Sequence, residues 1–354
     1  MTNRVTVHEQ ESDDMNTIAS PETLEVESEF RPETPKPKPT RMREPKRNEP
    51  TSQDPADETL YLTGRPTLKK FLRFVRSNAV EPPDPGTLAD EWQAANDVVR
   101  TLEKEEAGAA DSPPIIKMDV SKYESLLTEF LKDPLVKSSF NTVPTEVAFI
   151  ELDRLVVYQH HIDLTYARLL ERELGSSPSE EQIFRTSLLH DHPQPPVKWS
   201  HVRGNTFVFM SPSNDVRFLG TMKLQADNIR DYPPPGNLAG VLGLAVGFGS
   251  NFLNAICVEN RLILNNGSHR AYALRKMGVT HVPCIIQHAS SREKLDVLAA
   301  SKVMDNLDYY LKHPRPSMLR DYFNLQLHKV VPVHRQMRQV TIKFEVEESY
   351  VPAF

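Results

Sequence analysis

One stretch around Gly267 most restricts what this chain can fold into, because it has the pattern of a complete structural unit. Apolar residues on both sides of a turn at 259–260 predict a hairpin over 256–264. A helix is expected from the glycine to Gly278, and the apolar run 282–286 is expected to be a strand. The order strand, strand, glycine turn, helix and strand indicates a domain that mixes α and β structure.

The glycine turn places groups that bind anions at the start of the expected helix. Glycine allows a sharp backbone turn, and the first helical N–H groups together with the helix dipole favour a bound phosphate or carboxylate. Ser268, His269 and Arg270 add a hydroxyl, a titratable imidazole and a fixed cation at the same point. The sequence therefore predicts a site for a phosphate-bearing ligand here.

The run from Gly267 to Arg270 resembles the G-x-H-R or G-x-R-R turn of the ParB/sulfiredoxin superfamily, where the turn opens a helix and grips nucleotide phosphates. The segment 147–156 is similar, more weakly, to the opening strand and turn of that fold. The resemblance implies an α+β, ParB/sulfiredoxin-like domain that binds ATP or CTP with Mg²⁺. Hydrolysis of the nucleotide or phosphoryl transfer are the activities that it suggests.

The resemblance also implies which residues form the site. His269 and Arg270 would be the catalytic pair, in which the imidazole orients or protonates a phosphate oxygen and the guanidinium offsets phosphate charge. No residue can be assigned to the metal. Because adjacent residues of a strand point to opposite faces, at most one of the two histidines at 160 and 161 is expected to face the ligand. Nucleotide and phosphate contacts are expected for Asn266, Gly267, Ser268, His269, Arg270, His160 and His161.

Two departures from the superfamily pattern bear on activity. Ser268 stands where sulfiredoxin-like proteins have a cysteine, so repair of sulfinic acids, which needs a thiolate, is not expected. Asn266 stands where the free-serine kinases usually have an aspartate, and an amide is no carboxylate base. The alternative is therefore a non-catalytic interaction or scaffold protein with a degenerate anion site.

A DNA-binding or nuclease relative is a third hypothesis. The net charge of −6 provides no overall attraction for nucleic acid. The segment 290–354 also shows no convincing helix-turn-helix pattern. DNA is thus the less favoured partner, although a local contact stays open.

Composition divides the chain into four segments. Residues 1–57 are acidic and then basic and rich in proline, which predicts a disordered tail that is either solvated or bound to a partner. Residues 58–142 are expected to form a small helical region, which is also a candidate for docking a protein partner. The ParB/sulfiredoxin-like domain is assigned to 143–290, and a C-terminal extension that packs on it to 291–354.

Apolar periodicity predicts individual helices. Residues 68–75 after Thr67 and residues 88–102 each give one apolar stripe. Capping boxes are expected to start helices at Ser121 and at 177–180. A helix ending at Gly175 is expected to have Asp163 as its N-cap.

The remaining patterns concern strands and thiols. A strand-turn-strand pattern is predicted over 206–219 and a strand over 341–346, whereas the glycine-rich 240–250 is interpreted as a buried apolar helix or turn. Cys257 and Cys284 are expected to be buried free thiols rather than a disulfide.

The remaining polar groups and the search for targeting signals do not indicate a further functional site. A group that resembles a metal cluster is interpreted as a polar loop, since prolines interrupt it. A basic stretch over 312–338 is expected to be solvated surface, with an anionic ligand or a partner as the alternative. Because no apolar run reaches membrane-spanning length and no signal peptide is evident, the expected location is cytoplasmic, away from membranes. The metal-like group consists of His190, Asp191, His192 and His201.

Overall fold

The computed structural model of the chain describes residues 5–8, 57–188, 194–213, 215–225, 239–249 and 251–352. It confirms a mixed α+β protein. Its helices are α1 (Leu68–Asn78), α2 (Pro85–Glu105), α3 (Glu124–Lys132), α4 (Pro134–Ser139), α5 (Leu164–Leu174), α6 (Glu180–Leu188), α7 (Ser268–Lys276), α8 (Arg292–Leu298), α9 (Ser301–Asp305) and α10 (Leu307–Lys312). Its strands are β1 (Val5–His8), β2 (Asp57–Leu62), β3 (Ile115–Lys117), β4 (Thr145–Glu151), β5 (His161–Asp163), β6 (Lys198–His201), β7 (Thr206–Ser211), β8 (Val216–Leu224), β9 (Val241–Phe248), β10 (Asn254–Val258), β11 (Arg261–Asn266), β12 (His281–Ala289), β13 (His328–Val333) and β14 (Arg338–Phe344).

A five-stranded sheet with the order β11-β10-β12-β4-β3 forms the centre of the fold. β10 and β11 are the predicted hairpin, α7 is the predicted helix after Gly267, and β12 returns parallel to β10. The prediction for this unit is confirmed, because its strands are continuous apolar runs whose residues are buried on both faces of the sheet. α5 and α7 cover one face of the sheet, where the largest apolar cluster includes Leu170, Leu264, Ala271 and Ile286.

Two separate apolar clusters cover the opposite face of this sheet. One includes Ile256 and Ile263 with residues of α8 to α10, and the other includes Phe184 and Ile285 with residues of α3 and α6. Polar residues of the strands lie between these two clusters. The sheet therefore has a polar strip on this face, and the candidate site lies over it.

The segment 58–142 contains the three predicted helices, as α1 to α3, together with the short α4, but it is not purely helical. β2 pairs with β13 and with β5, and β3 pairs with β4. α1 and α2 pack on the β2 and β13 side through a cluster that includes Tyr61, Phe71 and Val331. These two strands, β2 and β3, were missed because each has only two or three apolar residues, too few to show a period. Their pairing joins this segment to sheets formed by residues elsewhere in the chain.

β14 is at the centre of a peripheral sheet with the order β1-β14-β7-β6. β1 lies within the segment predicted to be disordered, and it pairs with β14. The rest of that tail, apart from residue 57 in β2, is outside the described residues. The strands predicted over 206–219 exist as β7 and β8 but do not pair with each other, because β8 pairs with β9 instead.

The interpretation of 240–250 as a buried helix or turn is wrong, since this segment contains the strand β9. Its glycines make room for large side chains of β8. A Cβ atom at Gly243 would lie 3.0 Å from Cγ of Met222, and one at Gly247 would lie 3.1 Å from Cδ1 of Leu219. The glycines thus serve close packing across two strands.

Several helix boundaries agree with the sequence and two differ. The side chains of Thr67 and Asp163 cap α1 and α5, and Gly175 ends α5 with a φ of 74°. α3 begins later than Ser121, because Asp119 accepts hydrogen bonds from the backbone N–H groups of Ser121 and Lys122. None of the helices in the described ranges is both long and apolar enough to cross a bilayer.

The cap of α6 also differs from the prediction. Its capping box joins Ser179 to Gln182, whose side chain and backbone exchange hydrogen bonds of 2.8 and 3.2 Å with that serine. Glu180 is instead the first residue of the helix, and Tyr123 donates a 2.8 Å hydrogen bond to its carboxylate. The sequence contains two overlapping capping-box patterns, Ser177 with Glu180 and Ser179 with Gln182, and the second is the one that forms.

Cys257 and Cys284 are free thiols on the neighbouring strands β10 and β12, as predicted. The second is buried and the first is partly buried. Burial raises the pKa of both thiols above the usual value. Neither thiol therefore has the environment of a reactive nucleophile.

Candidate functional site

A cavity of about 1900 Å³ lies beside the N-terminal end of α7. It extends over the polar strip of the central sheet. The structure brings together in its lining all seven residues that the sequence predicted for ligand binding, from the glycine turn and from the start of β5. That these residues bind a nucleotide stays a prediction. They are His160, His161, Asn266, Gly267, Ser268, His269 and Arg270.

The glycine of the turn is required by its backbone conformation. Gly267 has a φ of 97°, in the left-handed region, and is the N-cap residue of α7. A Cβ atom here would lie 3.1 Å from Cγ of Leu253 and 3.3 Å from Nη2 of Arg270. The first N–H groups of α7 have no acceptor within the helix. The turn therefore exposes an N-terminal helix end to the cavity.

Arg270 is held in the interior by hydrogen bonds to protein oxygens. Only 1% of the residue is exposed. Nη1 donates to the carbonyl oxygens of Thr186 and Ser187, at 3.0 and 3.2 Å, and Nη2 donates to Oδ1 of Asn251 at 2.8 Å. The two carbonyls belong to the last turn of α6, so this arginine fastens α6 to the start of α7.

Among the described residues, the acceptors that contact Arg270 are all uncharged. The carboxylate of Asp215 is separated from it by one amide, since Nδ2 of Asn251 donates to this carboxylate at 3.1 Å. Burial lowers the pKa of Arg270, although a guanidinium still keeps its proton at neutral pH. A buried positive charge without a contacting carboxylate thus lies at the edge of the cavity.

His269 is uncharged at neutral pH. Burial, followed by the charge of His161, lowers the pKa of its imidazole to about 4. Its ring packs edge-on against Tyr166 with 5.9 Å between ring centroids. Nε2 is buried and has no hydrogen-bond partner among the described residues. A neutral imidazole can orient a ligand through one hydrogen bond, but it does not supply a proton to a phosphate at pH 7.

His160 and His161 both line the cavity, which differs from the expectation that only one would face it. The reason is that β5 begins at His161, so strand alternation does not include the preceding histidine. The ring of His161 stacks on Phe74 at 5.9 Å, and Phe74 stacks on Tyr61 at 4.3 Å. The histidines thus extend an aromatic row from β2 and α1.

The lining of the cavity is basic, although the chain has a net charge of −6. Among the residues that the structure describes, nine Lys or Arg and four Asp contribute to it. Lys70 and Arg335 are exposed on this rim, from α1 and from the segment after β13. Sequence analysis recognised the apolar stripe of α1 but not its basic face. The basic residues are Arg65, Lys70, Arg73, Arg172, Arg217, Arg270, Lys302, Arg335 and Arg338.

Amide side chains from two central strands form part of the cavity floor. Asn254 of β10 and Gln287 of β12 are 6% and 3% exposed, and both line the cavity. Both also lie on the strand face that separates the two apolar clusters. The only sequence signal for them is a polar residue at the end of an apolar strand pattern.

No group of three or more His, Cys, Asp or Glu side chains suited to a metal ion occurs in the described ranges. Two carboxylates of the cavity lining are already hydrogen-bonded, since Asp163 caps α5 and Asp215 accepts from Asn251. Mg²⁺ therefore stays a prediction without an assigned ligand. Of the polar group resembling a metal cluster, His201 is exposed on β6 and 190–192 is outside the described residues.

No family model, curated protein or solved structure matches this chain. The resemblance to the ParB/sulfiredoxin superfamily thus stays a prediction made from the residues of the glycine turn and from the segment 147–156. The geometry of the cavity is independent of that similarity.

Proposed function

We propose that this chain is a ParB/sulfiredoxin-like protein that binds a nucleotide, ATP or CTP together with Mg²⁺, in the cavity beside α7. The observation that carries the proposal is the buried charge of Arg270, whose contacts with described residues are all to uncharged oxygens. Such a charge is costly in a protein interior unless an anion lies nearby. A phosphate group in the cavity would supply that anion.

Two further features support an anionic ligand. The N–H groups at the start of α7 and the dipole of that helix favour negative charge at the same end. The exposed basic residues of the rim, including Lys70 and Arg335, would attract an anion to the opening of the cavity. Charge at the rim and charge at the helix end therefore act on a ligand in the same direction.

The size of the cavity favours a nucleotide over inorganic phosphate. Small-molecule sites usually enclose roughly 300–1,000 Å³. At about 1900 Å³, this cavity has room for a base, a sugar and a phosphate chain together with water. The amide side chains of its floor can also hydrogen-bond to the polar edge of a base, which inorganic phosphate lacks.

Binding without turnover is the second candidate, and the chemistry of two residues favours it. Arg270 already donates hydrogen bonds to three protein oxygens. It would therefore stabilise the negative charge of a ligand by electrostatic attraction at a distance, without a bidentate hydrogen bond to the phosphate. His269 is neutral and is no proton donor at pH 7. In this version the nucleotide or another anion is a structural ligand of an interaction protein, and hydrolysis or phosphoryl transfer does not occur.

Calorimetric titration of the full chain with MgATP and with MgCTP tests the proposal. The double variant Lys70→Ala with Arg335→Ala removes two positive charges that line the cavity. The control, Lys69→Ala with Arg76→Ala, removes two exposed charges that do not line it. We expect the first variant to bind on the order of tenfold more weakly and the control to bind as the wild type does.

The possible outcomes separate the alternatives. Absence of heat with both nucleotides would contradict nucleotide binding and favour an interaction protein. Equal weakening in both double variants would place the nucleotide elsewhere on the surface. Release of inorganic phosphate from the bound nucleotide would show an enzyme, whereas binding without release would support the non-catalytic version.

A further inference from the structure

We propose that Asn254 and Gln287 form a base-recognition subsite that selects a nucleobase with an exocyclic amino group over its oxo counterpart. This inference deepens the proposed function and rests on it. Both side chains line the same cavity as the glycine turn. The rim and α7 would hold the phosphates, while the floor would read the edge of the base.

The amide of Asn254 has a fixed orientation. Nδ2 donates to the carbonyl oxygen of Phe252 at 3.2 Å, so exchanging the positions of nitrogen and oxygen would set two acceptors against each other. Oδ1 is then left as a buried acceptor, and it has no hydrogen-bond partner among the described residues. A buried acceptor without a donor is unfavourable, and a donor on a ligand would remove that cost.

Strand register places the second amide next to the first. Asn254 pairs with Ile285 and Ile256 pairs with Gln287, on the parallel strands β10 and β12. The two amides are therefore diagonal neighbours on one face of the sheet. Apolar clusters close the sheet on both sides of them, so water has limited access to this part of the floor.

The two amides together match one kind of base edge. The oxygen of Asn254 accepts from an amino group, and the Gln287 amide can donate to the adjacent ring nitrogen. Adenine and cytosine both present an amino group beside an acceptor nitrogen. Uracil and hypoxanthine present a carbonyl oxygen beside an N–H group, so their oxygen would face the fixed acceptor of Asn254.

Binding of matched nucleotide pairs tests the subsite. Affinities of the full chain are measured by calorimetry for ATP against ITP and for CTP against UTP, each with Mg²⁺. We expect about tenfold tighter binding of the amino member in at least one pair, the ratio that one buried hydrogen bond of about 1.4 kcal/mol gives. In Asn254→Leu this ratio should fall close to one, mainly through weaker binding of the amino nucleotide.

The control is Asn260→Leu, the same substitution in the exposed turn of the hairpin formed by β10 and β11. This variant should keep the wild-type ratio. Gln287→Met provides a second variant in the subsite, so that the test stands if Asn254→Leu does not fold. Thermal unfolding of each protein establishes which variants are folded.

Each outcome has a distinct meaning. Equal affinities for amino and oxo nucleotides in the wild type would overturn the subsite but leave the proposed function intact. A preference that both subsite variants retain would show that other groups read the base, and would overturn the assignment. If the wild type binds no nucleotide at all, the proposed function fails, and the subsite fails with it.

Discussion

Two arginines, Arg270 and Arg315, are each 1% exposed, yet their surroundings differ in charge. Arg315 makes hydrogen bonds of 3.0 and 2.5 Å with the carboxylate of Asp321, which is equally buried, and one of 2.8 Å with Glu106. Arg270 contacts two carbonyls and the amide of Asn251. One buried cation is thus neutralised by contact, whereas the part of the chain that the structure describes offers the other no contacting carboxylate.

The pKa values of the two side chains shift in opposite directions. Burial lowers the pKa of Arg270. Burial also acts to lower the pKa of Arg315, but hydrogen bonding and attraction to Asp321 and Glu106 raise it overall. The comparison teaches that a buried arginine can be either a structural link or a source of positive potential. Only the location of carboxylates in space distinguishes the two.

The largest effect is expected where the neutralised pair is broken. Asp321→Ala should lower the free energy of unfolding by about 3–5 kcal/mol, because Arg315 would lose its buried carboxylate. Urea denaturation measures this change. Asp308→Ala is the control, since its ion pair with Lys312 is exposed, and little change is expected. Similar small changes in both variants would contradict the structural role of Arg315.

A smaller loss of stability is expected at the other arginine. Arg270→Met should lower the free energy of unfolding by about 2–3 kcal/mol, because it leaves acceptors unpaired but strands no opposite charge. Urea denaturation with and without MgATP measures both stability and ligand response. We expect the variant to lose the stabilisation by nucleotide that the wild type shows. A variant that is as stable as wild type would contradict the interior contacts of this arginine.

The third prediction concerns pH and the imidazole next to Arg270. The unfolded imidazole takes up a proton below about pH 6.5. In the folded protein, burial first, then His161 and also Arg270, lower the pKa of His269 to about 4. Acid therefore favours unfolding. Protonation of His269 in the unfolded chain should lower the free energy of unfolding by about 2 kcal/mol between pH 7 and pH 5.

The measurement for this third prediction is urea denaturation at both pH values, in the wild type and in His269→Gln. The variant should lose less stability than wild type between pH 7 and pH 5. Arg270→Met should raise the pKa of His269, because it removes a positive charge that disfavours the imidazolium. An identical pH dependence in wild type and in His269→Gln would refute the buried neutral imidazole.

The smallest effect is the difference in stability between two glycine-to-alanine variants. It separates the cost of backbone strain from the cost of crowding against Arg270. Gly267 and Gly278 have φ values of 97° and 88°, so an alanine at either position should cost about 1 kcal/mol from the backbone. Gly267→Ala should cost about 1 kcal/mol more, since its Cβ would crowd Leu253 and Arg270, whereas nothing lies within 4 Å at Gly278. Chemical denaturation of the two variants measures the difference. Equal costs would indicate that the turn has room beside the guanidinium.

The local predictions that agreed with the structure depend on short-range patterns. The apolar runs on both sides of the turn at 259–260 specified the hairpin, and Asp163 capped its helix as expected. Errors arose where partners are distant. β9 is a strand because β8 supplies its partner and fills the space above its glycines, and no periodicity within 240–250 could indicate that.

The residues of the site also separate into those that short-range patterns identified and those that depend on distant parts of the chain. The residues from Asn266 to Arg270 were recognised because they are consecutive and their chemistry is local to one helix end. Lys70, Asn254 and Gln287 were missed because they belong to different elements, which only folding brings to one cavity. Arg335 belongs to the basic stretch 312–338, for which an anionic ligand was the alternative to solvated surface, and it lines this cavity.

By itself the sequence determined the glycine turn, the helix after it and the types of side chain that the turn presents, since these depend on backbone sterics and on contacts a few residues apart. Tertiary structure decided that Arg270 points inward to carbonyls of α6, that His269 is neutral, and that a basic rim surrounds an amide floor. The physical reason is that burial and the positions of distant charges set the electrostatic state of a side chain, and neither is encoded in its neighbours along the chain.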